Sequence, residues 1–290
     1  MRKPAGIVLG LLFSASLTLP AAAEEFGGTL GKINASNTIA IGHRDASIPF
    51  SYLDEDKRPV GYAMDLCGRV VDEVKRVLKK NDLRVSHMVV TAQNRIPLVA
   101  SHAIDMECGS TTNTLSRQEQ VDFSAIYFTT GTRVLARKSL NAREIEDFQG
   151  RSVAVVEGST NERAIKAMKD TGKLRDLALV AFKDYSGAQT ALEAGRVDAF
   201  ATDDIVLFGL LAKSAMKGDL EVVGRFLTYD PYGIMMRRDD SAFRLVVNRT
   251  LAGLFRSGEI GKIHARWFDP LGVPVGALMK AGFELQALPE

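Results

Sequence analysis

The chain has 290 residues, of which 46% are hydrophobic and 25% charged, an ordinary globular balance that excludes a low-complexity or disordered protein. Its formal charge of +2 includes Arg2 and Lys3, and losing a leader that carries those two bases and no acids would bring it to zero. A neutral surface argues against nucleic acid or anionic lipid as the main partner.

The first element in chain order is a leader. Met1-Arg2-Lys3 is followed by an apolar stretch from Ile7 to Leu19 and then Pro20-Ala21-Ala22-Ala23 before Glu24-Glu25. A basic start, a short apolar middle and small residues at a cut site describe a cleaved secretory signal over residues 1–23. The apolar run falls short of the roughly 20 residues a membrane helix needs. No Cys stands at the cut to accept a lipid, so a free periplasmic protein of 267 of the 290 residues is expected.

Thr38-Ile39-Ala40-Ile41-Gly42 then reads as a short buried strand, and Gly61 to Asp65 enters a helix whose Leu66, Val70, Val71, Val74 and Val77 share one apolar face. A strand is predicted over residues 84–90, a helix near 95–101 and a strand over 104–108. The pattern recurs with strands over 151–156, 177–182 and 197–201, separated by helices, the first of which opens at Gly158-Ser159-Thr160. Alternating strands and helices imply crossover units and mostly parallel sheets. Leu98 to Asp105 and Leu192 to Asp198 echo each other as helix end, tight turn and strand opening. Two similarly built lobes are therefore expected, with extended crossings near 123–130 and 228–232 and closing helices over 242–255 and 260–267.

Open α/β sheets bind ligands beyond the carboxyl ends of their strands, so two facing lobes put the site between them. His43-Arg44-Asp45 follows the opening strand, and Gln93-Asn94-Arg95 starts a helix. Cys108-Gly109-Ser110-Thr111-Thr112-Asn113 and Arg117 follow another strand, and Gly158-Ser159-Thr160 starts a helix suited to an anion. Read singly, Ser110, Thr112, Ser159, Thr160 and Asp203 fit plain helix caps, and Arg44, Arg95 and Arg117 fit solvated surface charges. Cys67 and Cys108 are too few for a disulfide scaffold; they fit one bond or two buried thiols. The four histidines show no metal-ligand spacing and no cofactor motif is present, so neither metal nor cofactor is expected.

The runs Ile41 to Tyr52, Gln93 to Leu98, Glu107 to Asn113 and Gly131-Thr132-Arg133 closely resemble the periplasmic glutamate/aspartate-binding proteins of polar amino-acid ABC transporters. So do Asp122-Phe123-Ser124, Gly158-Ser159-Thr160, Leu192 to Arg196, Asp203-Asp204, Tyr232-Gly233 and Trp267-Phe268. The resemblance spans nearly the whole mature chain. It implies an α/β, two-lobed periplasmic binding protein of type II, each lobe a mostly parallel sheet flanked by helices and joined by two hinge strands. The lobes would cover residues 24–128 and 129–237, with residues 238–290 returning to the first. It further implies an acidic amino acid as ligand, an inner-membrane ABC permease as partner, and a monomer that closes on its guest.

Carried over by position, the resemblance implies that Arg117 pairs with the α-carboxylate, helped by Ser110, Thr112 and Thr160, with Ser159 beside them, and that Asp203 accepts the α-ammonium. Arg44 and Arg95 would face the side-chain carboxylate, since two unpaired guanidinium charges in a closed cleft cost several kcal/mol. This chain departs from the family pattern at Ala92, where a serine is usual, and at Tyr185, where a histidine is usual; Tyr185 offers a phenol donor in its place. The rival readings are an enzyme resembling the periplasmic cyclohexadienyl dehydratases, with Glu107 or Glu157 as general acid, and a ligand-sensing module, which the end at Glu290 without a membrane span disfavours.

Overall fold

The computed structural model describes residues 26–290, so the expected leader lies outside the described residues. Two five-stranded sheets organise two lobes. In the first sheet the strand order is Arg84–Val89, Thr38–His43, Met106–Cys108, Met235–Arg237, Val121–Phe123; in the second it is Ala178–Phe182, Ser152–Val156, Ala199–Asp203, Thr132–Arg137, Leu220–Val223. The first three strands of each order run parallel, and the fourth runs antiparallel to both of its neighbours. That fourth strand is in each case the one reached directly after a crossing between lobes.

The crossings pair with each other: Phe128–Thr130 and Asp230–Tyr232 form a two-stranded antiparallel ribbon. The return expected at residue 238 falls three residues late, because Met235–Arg237 already hydrogen-bonds within the first sheet. Once the chain leaves the ribbon, the nearest unsatisfied backbone groups are those of the strand beside it.

Helix Tyr62–Leu78 follows from its apolar spacing, burying Leu66, Cys67, Val70, Val71, Val74 and Leu78 while Arg69 and Asp72 stay outside. Helices Ser241–Ser257 and Glu259–Phe268 pack on it, which returns the C-terminal part of the chain to the first lobe. Aromatic rings seat the ribbon against this layer: Phe128 stacks on Phe268 at 4.9 Å, and Phe50 meets Tyr232 edge-on at 5.1 Å. No described helix is long and apolar enough to cross a membrane.

The sequence echo has a common structural purpose. Asp105 accepts the Ala40 N–H at 2.8 Å in the first lobe, and Asp198 accepts the Ser152 N–H at 2.8 Å in the second. Each carboxylate thereby satisfies a backbone donor on the neighbouring parallel strand. Cys67 and Cys108 are joined in a disulfide, tying helix Tyr62–Leu78 to the end of strand Met106–Cys108.

Candidate functional site

Apart from Arg117, the ligand-binding candidates named from the sequence stand at or beyond a strand end or at a helix start. Arg44 follows strand Thr38–His43, and Ser110 and Thr112 follow Met106–Cys108. Arg95 opens helix Arg95–Ala100. Arg117 lies in the short helix Leu115–Gln118, where the Thr114 hydroxyl caps by accepting the Arg117 N–H. In the second lobe Thr160 opens helix Thr160–Asp170 and Tyr185 opens helix Tyr185–Glu193, while Asp203 ends strand Ala199–Asp203. Thr160 is half-buried and the other eight are buried, so the solvated-charge reading of the three arginines fails.

The lobes meet at these residues. The Ser110 hydroxyl lies 3.3 Å from the Tyr185 hydroxyl, and that of Thr112 lies 3.3 Å from that of Thr160. Arg117 donates to the Thr112 carbonyl at 2.7 Å and across the gap to the Gly158 carbonyl at 3.3 Å. The Arg44 guanidinium carbon sits 5.1 Å from the centre of the Tyr185 ring. Ser159 keeps the plainer role: its hydroxyl accepts the Glu162 N–H at 3.0 Å and caps its own helix.

Burial here is electrically uneven. All three guanidinium nitrogens of Arg44, Nε of Arg95 and Oε1 of Glu107 are buried without a hydrogen-bond partner among the described residues. Burial pulls the Arg95 guanidinium down from its ordinary proton affinity; Glu107 opposes that and Arg44 adds to it. Arg117 is brought down to about 9, by burial first and then by Arg95 and Arg163, and remains cationic at neutral pH. Burial, with Asp230 nearby, raises Asp203 to about 7 despite two donors, Asn161 Nδ2 at 2.8 Å and the Tyr232 hydroxyl.

Four further residues belong to this cluster. Glu107, weighed in the sequence only as a general acid, is fully buried with Oε2 accepting the Thr111 hydroxyl at 2.7 Å. Gly109 leaves room for that carboxyl group, since a Cβ there would fall 2.4 Å from Glu107 Oε1 and the side chain would have to move. The Arg44–Arg95 charge count therefore omitted a buried carboxyl group. Asn161 and Tyr232 hold Asp203, and Asp230 accepts the Thr112 hydroxyl at 2.9 Å. The one acid in the crossing Thr228-Tyr229-Asp230-Pro231-Tyr232 was the available signal for Asp230; Asn161 left none, because its partners are 29 and 42 residues away.

Comparison with known proteins decides what kind of cleft this is. Residues 39–270 match the bacterial extracellular solute-binding proteins, family 3. The chain belongs to that family. As a family-3 solute-binding protein it is 42% identical over 277 residues to the L-glutamate/L-aspartate-binding protein of Pseudomonas aeruginosa, covering 95% of this chain and 91% of that one. It is 38% identical over 269 residues to the glutamate/aspartate import solute-binding protein of Escherichia coli, covering 92% and 89%. These relatives are binding proteins and set the solute-binding reading above the enzyme alternative. Among solved structures, an ancestral arginine-binding protein bound to arginine superposes with a TM-score of 0.71 at 28% identity, covering 80% of this chain and 98% of that one. A protein of this fold thus binds a cationic amino acid, so the fold alone does not fix the ligand charge.

Proposed function

We propose that this protein is the periplasmic substrate-binding component of an amino-acid ABC transporter and captures glutamate or aspartate between its lobes. The single observation that carries the acidic ligand is Arg44: 1% exposed, with no hydrogen-bond partner on any guanidinium nitrogen. A fixed guanidinium fork of that kind matches a carboxylate in paired bonds. Arg95, with its own unpartnered Nε, lies close enough to feel the Arg44 charge, which adds to the lowering that burial imposes on it.

In this reading Arg117 takes the α-carboxylate with Ser110, Thr112 and Thr160, the helix capped by Ser159 presents its amino end to the same anion, and Asp203 accepts the α-ammonium. Tyr185 lies against Arg44 and forms the wall of the side-chain end. Contacts drawn from residues 24–128 and 129–234 would favour the closed population, which an inner-membrane permease would then recognise. The two 38–42% identical relatives, named for glutamate and aspartate, support the choice of ligand.

Calorimetry on ligand-stripped protein tests the reading with glutamate, aspartate, glutamine and asparagine. Acidic ligands are expected to bind at micromolar concentration or below, equivalent to about −8 kcal/mol or better. Amides binding as tightly as the acids would sink the assignment of Arg44.

A further inference from the structure

Asp230 lies in the hinge ribbon, outside the cleft residues the sequence singled out, and is 1% exposed. Both of its oxygens are held by hydroxyls: Oδ1 by Thr112 at 2.9 Å and Oδ2 by Thr228. An ionised carboxylate only accepts, and each threonine has a single hydroxyl proton to give. Both protons are therefore committed to Asp230.

That commitment propagates. Thr228, its proton spent, must accept from Thr132, whose N–H and hydroxyl both lie 2.8 Å away. Thr132 in turn accepts from Asn161 Nδ2 at 2.7 Å, and the second hydrogen of that amide reaches Asp203 at 2.8 Å. The chain of bonds runs from a first-lobe hydroxyl through the second hinge crossing to the second-lobe acid, and its directions are set by Asp230, which accepts from both threonines, and by the Asn161 amide, which can only donate through Nδ2. At the other end, Thr112 can offer Thr160 and the cleft only its lone pairs.

We infer that Asp230 is a positioning residue that holds the Thr112 hydroxyl as an acceptor, so that this hydroxyl joins Asp203 in receiving the ligand ammonium, and that it ties this polarity to the hinge. The role rests on the proposed amino-acid ligand and revises one assignment within it: the Thr112 hydroxyl serves the ammonium and not the carboxylate. An acceptor pointed at an ammonium is charge-assisted, and losing it weakens binding by about tenfold or more.

A double-mutant cycle tests this. Asp230→Asn retains the volume but has one acceptor oxygen for two donors, so Thr112 or Thr228 must turn. Aspartate and glutamate dissociation constants are measured for wild type, Asp230→Asn, Thr112→Val and the double variant, using ligand-induced Tm shifts where calorimetry is too insensitive. Each single variant is expected to lose about tenfold or more, and the double variant no more than Thr112→Val alone. Thr112→Ser, which keeps the hydroxyl, is expected within a few-fold of wild type. Additive losses, or Asp230→Asn with unchanged affinity, overturn the inference. If Asp230→Asn does not fold, the Thr112 variants decide: Thr112→Val binding as tightly as wild type overturns the inference, and a tenfold loss in Thr112→Val that Thr112→Ser restores supports it. Wild-type protein that binds neither acid would instead defeat the ligand assignment.

Discussion

Arg44 rests its guanidinium 5.1 Å from the centre of the Tyr185 ring, bringing a cation from one lobe onto an aromatic face from the other. A ring face attracts the charge but leaves the N–H edge unbonded, and all three nitrogens are buried without a partner. Affinity and stability should therefore oppose each other at this position. Arg44→Met is expected to weaken binding of acidic ligands by about a hundredfold, while raising the stability of the ligand-free protein by about 1–3 kcal/mol. Calorimetry and thermal melts read the two effects, and a destabilised, fully competent variant would contradict both.

Arg117 holds the Thr112 and Gly158 carbonyls from opposite lobes. Arg117→Ala is expected to abolish binding of every amino acid, with losses of about three orders of magnitude, whereas Arg44→Ala should spare neutral ones. A panel of acidic and neutral ligands, titrated against both variants, separates the roles.

Asp203, as the proposed acceptor of the ammonium, should make binding depend on pH. Its folded-state value of about 7 lies above the ordinary 3.8, so the ligand-free fold holds an extra proton between those values. Stability from this carboxyl is greatest at low pH and is lost as pH rises toward 7. An incoming ammonium needs the charged form and must expel that proton. The apparent dissociation constant is expected to rise as pH falls below about 7, with close to one proton released per ligand near pH 6, measured by calorimetry in buffers of different ionisation enthalpy. Asp203→Asn should bind weakly at every pH, without the slope.

Gly209, in helix Asp204–Lys213 of the second lobe, lets the lobes approach at a distance from the binding residues. A Cβ there would fall 2.5 Å from the Ile48 carbonyl oxygen of the first lobe. Gly209→Ala should raise the stability of the open, ligand-free protein by up to about 1 kcal/mol through helix propensity, yet weaken every ligand by obstructing closure. Small-angle scattering should show less contraction on adding ligand than in wild type; equal contraction would remove Gly209 from the closing surface.

The disulfide between Cys67 and Cys108 spans a separation of 41 residues. Replacing both with serine should cost on the order of 3–4 kcal/mol on loop entropy, read as a lower midpoint in denaturant. Because Gly109 and Ser110 follow Cys108 directly, ligand affinity should fall as well.

Much of the scaffold is legible residue by residue. The three-and-four spacing of Leu66, Val70, Val71 and Val74 announces helix Tyr62–Leu78, and β-branched runs announce strands Thr38–His43 and Ser152–Val156. These signals are local, since a helix face or a strand is defined within a dozen residues. The positions of Arg44, Arg95 and Asp203 follow from the same signals, because strand ends and helix starts are where such sheets place ligands. The exposure of strand Arg84–Val89 on both faces was not legible: its alternation resembles that of an inner strand, and only its place at the edge of the sheet leaves it open.

By itself, the order of residues determined the two-lobed α/β plan and the acid–base types available to a cleft. Folding in three dimensions decided which of those charges meet. Glu107 stands beside the arginines, Asn161 bridges Thr132 and Asp203, the two thiols join, and Asp230 receives a hydroxyl from 118 residues away. Hydrogen bonds and ion fields act over a few ångströms through space, and no spacing along the chain encodes that distance once the hinge has brought the lobes together.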